Sequence, residues 1–204
     1  MKGIYTEDNY KTPAKICHAE LKVKGSRFIC TLQPVESKEE AEEQYVRIKK
    51  QYYDATHNCL AYRINTKQFR YSDDGEPSGT AGRPIYQELC GQDMLEILCV
   101  VTRYFGGTKL GTGGLARAYA QVTREALERV PVKIKTHYRQ IIIAYAYNYE
   151  NQIRRLLNEF QGRMLESDYG CEVQMTINIP ASKLISFKEK LIELSNSHIE
   201  IKDI

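Results

Sequence analysis

Leu95-Glu96-Ile97-Leu98-Cys99-Val100-Val101-Thr102-Arg103-Tyr104-Phe105-Gly106-Gly107-Thr108-Lys109-Leu110-Gly111-Thr112-Gly113-Gly114 is the stretch that decides how the first half of this 204-residue chain folds. Leu95 to Thr102 is apolar apart from Glu96, the pattern of a strand covered on both faces. From about Gly113 to Val130, Leu115, Tyr119, Val122 and Ala126 recur at helical spacing, with Arg117, Gln121, Arg124 and Glu128 left on the outer side. A buried strand therefore feeds a helix through a glycine-rich turn.

Upstream, Lys15 to Val23 and Ser26 to Gln33 read as a hairpin about Lys24-Gly25. Ser37-Lys38-Glu39-Glu40 has the form of a capping box, and the helix after it puts Ala41, Tyr45, Ile48 and Tyr52 on one stripe. His57 to Ile64 and Phe69 to Ser72 read as strands, followed by a loop to Gly82 and a short helix from Arg83 to Cys90.

Downstream, Arg139 to Ala146 is an apolar strand, and Glu150 to Phe160 is a helix with Ile153, Leu156, Leu157 and Phe160 inward. Met164 to Tyr169 is a further strand. Glu172 to Ile179 alternates, with Val173, Met175, Ile177 and Ile179 on one face. A helix carrying Leu184, Phe187, Leu191 and Leu194 and a last strand from His198 to Asp203 complete a βαββαβ order, the ferredoxin-like plan. The boundary falls near Pro131 to Thr136, giving domains at 1–132 and 136–204 and an α+β fold class. The second domain shows no convergent polar cluster and reads as a packing module, or one that docks a protein partner.

Hydrophobic residues make up 42% and charged residues 27%, a globular balance, with a net charge of +3. That charge is too small to imply nucleic acid from composition alone. No apolar run is long enough to span a membrane, and the first residues have no apolar signal core, so a cytoplasmic location is expected. The cysteines Cys17, Cys30, Cys59, Cys90, Cys99 and Cys171 form no C-x-x-C pair and read as free, buried thiols. No cofactor motif is present.

Three constellations carry chemistry. In the glycine turn, Gly106, Gly107, Gly111, Gly113 and Gly114 let main-chain N–H groups approach a ligand at a helix N-terminus, an arrangement suited to phosphate. Lys109 would add a point charge, and Arg103 and Arg117 guanidinium forks. The pattern is not a Walker A loop, because Lys109 precedes Gly111. A tight turn without ligand is the other reading. The second constellation is Asp73, Asp74, Glu76 and Ser78 in the loop from Ser72 to Gly82, read as a solvated acidic turn, as part of a site, or as oxygen ligands for Mg²⁺ or Ca²⁺, although the spacing is not that of an EF-hand loop. In the third, strand alternation puts His57, Cys59, Ala61 and Arg63 on one face, so that His57 and Arg63 line a polar surface or are simply satisfied where they stand. Side chains two apart on a strand lie about 7 Å from each other, which disfavours a Cys–His nucleophile.

Arg63, Arg70, Arg83, Arg103, Lys109, Arg117 and Arg124 fall near the same loops, interleaved with Tyr71, Tyr104 and Phe105, a mixture that could meet phosphates and bases. Tyr104 and Phe105 can equally be core residues.

Val100 to Leu115, His57-Asn58-Cys59 with Ala61-Tyr62-Arg63, and Ser72 to Gly82 together resemble the three signature motifs of the YigZ/IMPACT family, uncharacterised protein family 0029, and the βαββαβ tail resembles the second domain of its bacterial branch. The resemblance implies a first domain of the β-α sandwich type found in a small-subunit ribosomal protein, a domain of elongation factor G and the galactokinase group of kinases. The tail is similar to another domain of elongation factor G. Eukaryotic relatives regulate translation by competing for a protein partner of a stress kinase through a further domain with no counterpart in these residues. That partner is therefore not carried over. The expectation that follows is a non-catalytic RNA- or ribosome-binding protein in translation control, holding phosphate at the glycine loop. The alternative is an enzyme acting on a small phosphorylated substrate.

Overall fold

A computed structural model of the chain describes residues 8–195 and 198–204. Two compact units emerge: Tyr10–Lys135, and residues 136–204 together with Asp8 and Asn9.

In the first unit, β2 (Cys17–Val23) and β3 (Ser26–Pro34) form the hairpin, turning at Lys24 and Gly25, whose φ angles of 46° and 84° are the positive values such a two-residue turn needs. With β4 (His57–Arg63), β5 (Phe69–Ser72) and β6 (Ile97–Tyr104) they make a five-stranded sheet of order β2-β3-β6-β4-β5, every neighbour antiparallel. The central strand β6 is buried on both faces because helices cover both. Leu98 and Val100 pack with Leu60 and Tyr62 against Ala41 and Ile48 of α1 (Lys38–Gln51). Ile97, Cys99 and Val101 face α2 (Gly82–Gly91) and α3 (Gly111–Arg129) through Ile85, Leu89, Tyr119 and Val122.

The capping serine works as its sequence suggests, Ser37 Oγ accepting from Glu40 N–H at 3.1 Å. The returning Glu40 carboxylate, however, takes the N–H of Glu36 at 2.7 Å rather than that of the cap itself. Pro131 to Thr136, read as a boundary, contains a strand. Its β7 (Val132–Thr136) pairs with β1 (Asn9–Pro13) as a separate two-stranded ribbon. Neither strand signals itself locally, because the partner lies more than a hundred residues away. The face of β4 read as polar is instead core: Cys59 and Ala61 are fully buried under α2 and α3.

The second unit is the expected α+β module. Strands β8 (Tyr138–Tyr145), β9 (Arg163–Tyr169), β10 (Val173–Pro180) and β11 (Glu200–Asp203) form an antiparallel sheet of order β11-β8-β10-β9. Helices α4 (Glu150–Glu159) and α5 (Leu184–Ser195) supply Ile153, Leu157, Phe187 and Leu191 to a core completed by Val173, Met175, Ile177 and Ile179. No helix among the described residues is long and apolar enough to cross a membrane.

Candidate functional site

Cross-strand register puts Phe28 of β3, Arg103 of β6 and His57 of β4 side by side at one end of the sheet, on the face that α3 covers. Directly opposed residues on neighbouring antiparallel strands share a face, so this row is fixed by the pairing itself. The loop after β5 then folds back over it. Asp74 at φ 44° and Gly75 at φ 88° reverse the chain and deliver Glu76 to the row.

Glu76 is the centre of the arrangement. Its side chain is 2% exposed, and that of Arg103 is 6% exposed. Arg103 Nη1 donates to Glu76 Oε1 at 2.6 Å, and the Tyr119 hydroxyl, from α3, donates to the same oxygen at 2.8 Å. A carboxylate so enclosed holds its place only because charged and neutral donors both meet it. Arg103 Nη2 reaches Ser26 Oγ at 3.4 Å, while its guanidinium carbon lies 5.5 Å from the Phe28 ring centre and 5.6 Å from that of Phe105. Arg103 Nε–H is buried with no hydrogen-bond acceptor among the described residues. The π faces of the two phenyl rings are its electrostatic environment.

His57 stands beside this pair. Its Nδ1 lies 2.8 Å from the main-chain oxygen of Asp74. A carbonyl oxygen only accepts, so Nδ1 carries the proton. That leaves Nε2 as the nitrogen facing the site, 3.9 Å from Glu76 Oε2.

The two aspartates of the loop build it. Asp73 accepts the N–H groups of Gly79, Ala81 and Gly82 at 2.8, 2.9 and 2.8 Å, capping α2, whose own N-cap residue Ala81 offers no side chain for this. Asp74 accepts Asn58 N–H and Lys49 Nζ, each at 2.7 Å. The three carboxylates thus diverge to different donors. Among the described residues no group of three His, Cys, Asp or Glu side chains is arranged to hold a metal. Ser78 is exposed, and Arg63, at the far end of β4 from His57, binds Met94 O at 3.2 Å and Asp93 at 3.5 Å. The rise of a strand sets Arg63 and His57 about 20 Å apart.

A cleft of about 430 Å³ opens at this end of the unit. Thr56, His57, Glu76 and Arg103 line one part of it, Pro77, Phe105, Leu110 and Leu115 supply apolar wall, and Lys109, Gly111 and Thr112 bring in the start of α3. The glycines of the turn have different reasons to be there. Gly106 packs back to back with the β2–β3 turn, where an added Cβ would lie 1.8 Å from the carbonyl carbon of Gly25. Gly107 and Gly111 take φ angles of 85° and 72° with open space around them. Gly113 and Gly114 lie in the first turn of α3, Gly113 beneath the guanidinium of Arg117, which is exposed and not among the cleft-lining residues. Gly106 N–H donates to Ser26 Oγ at 3.2 Å. No intramolecular acceptor takes the N–H groups of residues 107–110 among the described residues, and the first N–H groups of α3 have no helical partner by construction.

Other expected features are arranged differently. Arg70, Arg103 and Arg124 are engaged by Glu42, Glu76 and Glu88, so the clustered arginines do not form one open basic face. The six cysteines are free, as expected, but only Cys30, Cys59 and Cys99 are buried, whereas Cys90 and Cys171 are exposed because they sit at a helix end and in a turn. The Cys59 thiol lies 2.9 Å from Asp73 O and 3.4 Å from the Tyr119 hydroxyl. Burial pushes this thiol far above the usual range, and burial together with Cys59 and Glu76 does the same to the Tyr119 phenol. Both therefore keep their protons through neutral pH, and Cys59 offers no thiolate nucleophile. Iodoacetamide applied to the folded protein at pH 8 is expected to alkylate Cys90 and Cys171 and to leave Cys59 untouched. Rapid labelling of Cys59, read by mass spectrometry, would contradict its placement. Tyr119 and Ser26 were not legible as site residues, Tyr119 because its spacing marks only the inward stripe of a helix.

The other unit has a cleft of about 580 Å³, whose polar groups are largely engaged. Lys183 donates to Gln161, Asp8 accepts from Ser182, and the Arg163 guanidinium lies over the Tyr138 ring. The first-unit cleft, with a buried carboxylate and an imidazole on its wall, is the stronger candidate.

Comparison with known proteins places this geometry in a lineage. The model of the Impact N-terminal domain matches residues 24–127, the part that carries the whole candidate site, and a domain of unknown function (DUF1949) matches residues 143–197. The chain belongs to the IMPACT family. IMPACT family member YvyE of Bacillus subtilis (strain 168) is 37% identical over 96% of this chain and 91% of its own length. IMPACT family member YigZ of Escherichia coli (strain K12) is 33% identical over 95% of this chain and 97% of its own. A solved structure described as the crystal structure of a hypothetical protein superposes with a TM-score of 0.70 at 33% identity, covering 97% of this IMPACT family chain and 98% of that one.

Proposed function

We propose that the chain binds the phosphate group of a small phosphorylated molecule in the first-unit cleft, received by the N–H groups of residues 107–113 and by Lys109. The observation that carries this reading is that one cleft unites the opening turn of α3, Lys109, an apolar wall and the His57–Glu76 pair. Helix N-termini with adjacent unpaired amides favour anions, and a cleft with a positioned imidazole and a buried carboxylate on its wall suits an enzyme of a small substrate. Arg103, whose charge is matched by Glu76, acts here by positioning that carboxylate.

A second reading, binding of RNA or the ribosome in regulation of translation, is favoured by one observation: Phe105 is 47% exposed and lines the same cleft as Lys109. Aromatic and basic groups side by side are what a single-stranded nucleic acid needs. Free cysteines throughout support a cytoplasmic setting, and the exposed Ile185 and Ile192 of α5 support a protein-docking role for the second unit.

Calorimetry with inorganic phosphate, phenyl phosphate and a 12-nucleotide single-stranded RNA separates these readings. Phosphate and phenyl phosphate are expected to bind, and Lys109→Ala is expected to weaken both by roughly 10- to 100-fold, the scale of one charge-assisted hydrogen bond. RNA binding with a steep salt dependence and no response to phenyl phosphate would replace the small-molecule reading with the second. Silence toward all three would remove both.

A further inference from the structure

We propose that the ligand carries, next to its phosphate, a hydroxyl or amine whose polar hydrogen lodges between His57 Nε2 and Glu76 Oε2. This deepens the phosphate reading and rests on it.

The argument is one of hydrogen-bonding capacity. Glu76 has two oxygens, and both of its protein donors, Arg103 Nη1 and the Tyr119 hydroxyl, arrive at Oε1. A carboxylate has about four acceptor positions, so Oε2 retains its own, with no hydrogen bond to it among the described residues. His57 is equally half used. Its Nδ1–H is fixed on Asp74 O, so Nε2 is the ring atom still able to take or give a proton.

The separation of the two is informative. At 3.9 Å, Nε2 and Oε2 are too far apart for a hydrogen bond to each other. They are close enough for one nitrogen or oxygen atom to sit about 2.8 Å from both. An amine there can donate to each. A hydroxyl has a single hydrogen, which it gives either to Oε2 or to the Nε2 lone pair.

The surroundings make this a selective feature. Glu76 is the one carboxylate among the residues lining the cleft, and the wall beside it is Pro77, Phe105, Leu110 and Leu115, which offer no side-chain donor. Thr56 Oγ already accepts Phe105 N–H at 3.0 Å. A ligand that fills the cleft without a polar hydrogen at this point displaces water from a buried carboxylate and puts nothing in its place, and a site of that kind rejects such a ligand. The ligand class that fits is a phosphate ester of an aliphatic alcohol bearing a second hydroxyl or an amino group a short chain away.

Three phosphate esters test this on the full chain: ethyl phosphate, which lacks the terminal polar atom, 2-hydroxyethyl phosphate and phosphoethanolamine. In calorimetry the hydroxyl and amino esters are expected to bind roughly 10- to 100-fold more tightly than ethyl phosphate. The gap is expected to close in His57→Gln and in Glu76→Gln, the first of which leaves the Arg103–Glu76 pair in place should the second fold poorly. The ranking of the hydroxyl against the amino ester decides which donor the site prefers. If ethyl phosphate binds as tightly as the other two, or if the gap survives both substitutions, the inference is wrong while the phosphate reading stands. If none of the three binds and inorganic phosphate does not bind either, the phosphate reading itself has failed.

Discussion

Glu76→Ala is expected to destabilise the first unit by about 3–5 kcal/mol, because it leaves the Arg103 guanidinium buried and without its counter-charge. In a unit of this size that corresponds to a fall in melting temperature of roughly 10–20 °C. The alanine variant removes the acceptor for two donors at once, Arg103 Nη1 and the Tyr119 hydroxyl, and neither can turn to water, since Arg103 is 5% exposed and Tyr119 0%. Glu76→Gln retains an acceptor oxygen and the side-chain volume, so its loss should be smaller. Urea denaturation followed by far-ultraviolet circular dichroism measures both. A loss under about 1 kcal/mol for Glu76→Ala would mean that the two phenyl rings flanking Arg103 suffice to hold the cation, and that the carboxylate is not what keeps it in place.

That network explains how much of the site could be seen in the residues alone. The row of Phe28, Arg103 and His57 follows from strand register, and register follows from the Lys24-Gly25 turn and from the apolar pattern of β6. Periodicity carries information of this kind, and the strand, the helix after it and the four-stranded second unit were legible for that reason. The destination of Arg103 was not. A guanidinium beside a glycine turn reads as a phosphate ligand until Glu76 is delivered to it, and that delivery depends on two consecutive positive φ angles at Asp74 and Gly75. Loop conformation of this sort has no period. For the same reason Asp73 and Asp74 read as solvated or site-forming acids, whereas each holds main-chain N–H groups, those of Gly79, Ala81 and Gly82 and that of Asn58. The signal available was the run of small residues from Ser78 to Gly82, a backbone able to wrap around a carboxylate.

The sheet and the loop therefore divide the work. The sheet end supplies a rigid row of side chains, the loop supplies the carboxylate, and α3 supplies an opening turn with unpartnered amides. A site built on strands and a helix is held more firmly than one built on loops alone, and here the loop-borne carboxylate of Glu76 is pinned from the sheet by Arg103 and from the helix by Tyr119.

Gly106→Ala is the substitution expected to cost most per atom added. Its Cβ would stand 1.8 Å from the carbonyl carbon of Gly25, 2.1 Å from the oxygen and 2.2 Å from Ser26 N, all of them backbone. Overpacking a core typically costs 1–3 kcal/mol when side chains can change rotamer. Backbone has no rotamer to change, so the hairpin turn and the glycine loop must separate, and a loss above about 3 kcal/mol follows. Gly107→Ala is the control one residue along. It has nothing within 4 Å and carries only the strain of φ 85°, about 1–2 kcal/mol. The two variants should also differ in binding. Separation at Gly106 breaks its N–H bond to Ser26 Oγ, the same oxygen that receives Arg103 Nη2, and moves Phe105 away from the cleft wall, so phosphate binding is expected to be lost together with stability. At Gly107 the main-chain N–H remains, and binding should weaken only modestly. Equal melting temperatures for the two alanine variants would show that the β2–β3 turn yields easily, and that Gly106 is required by something other than its contact with Gly25.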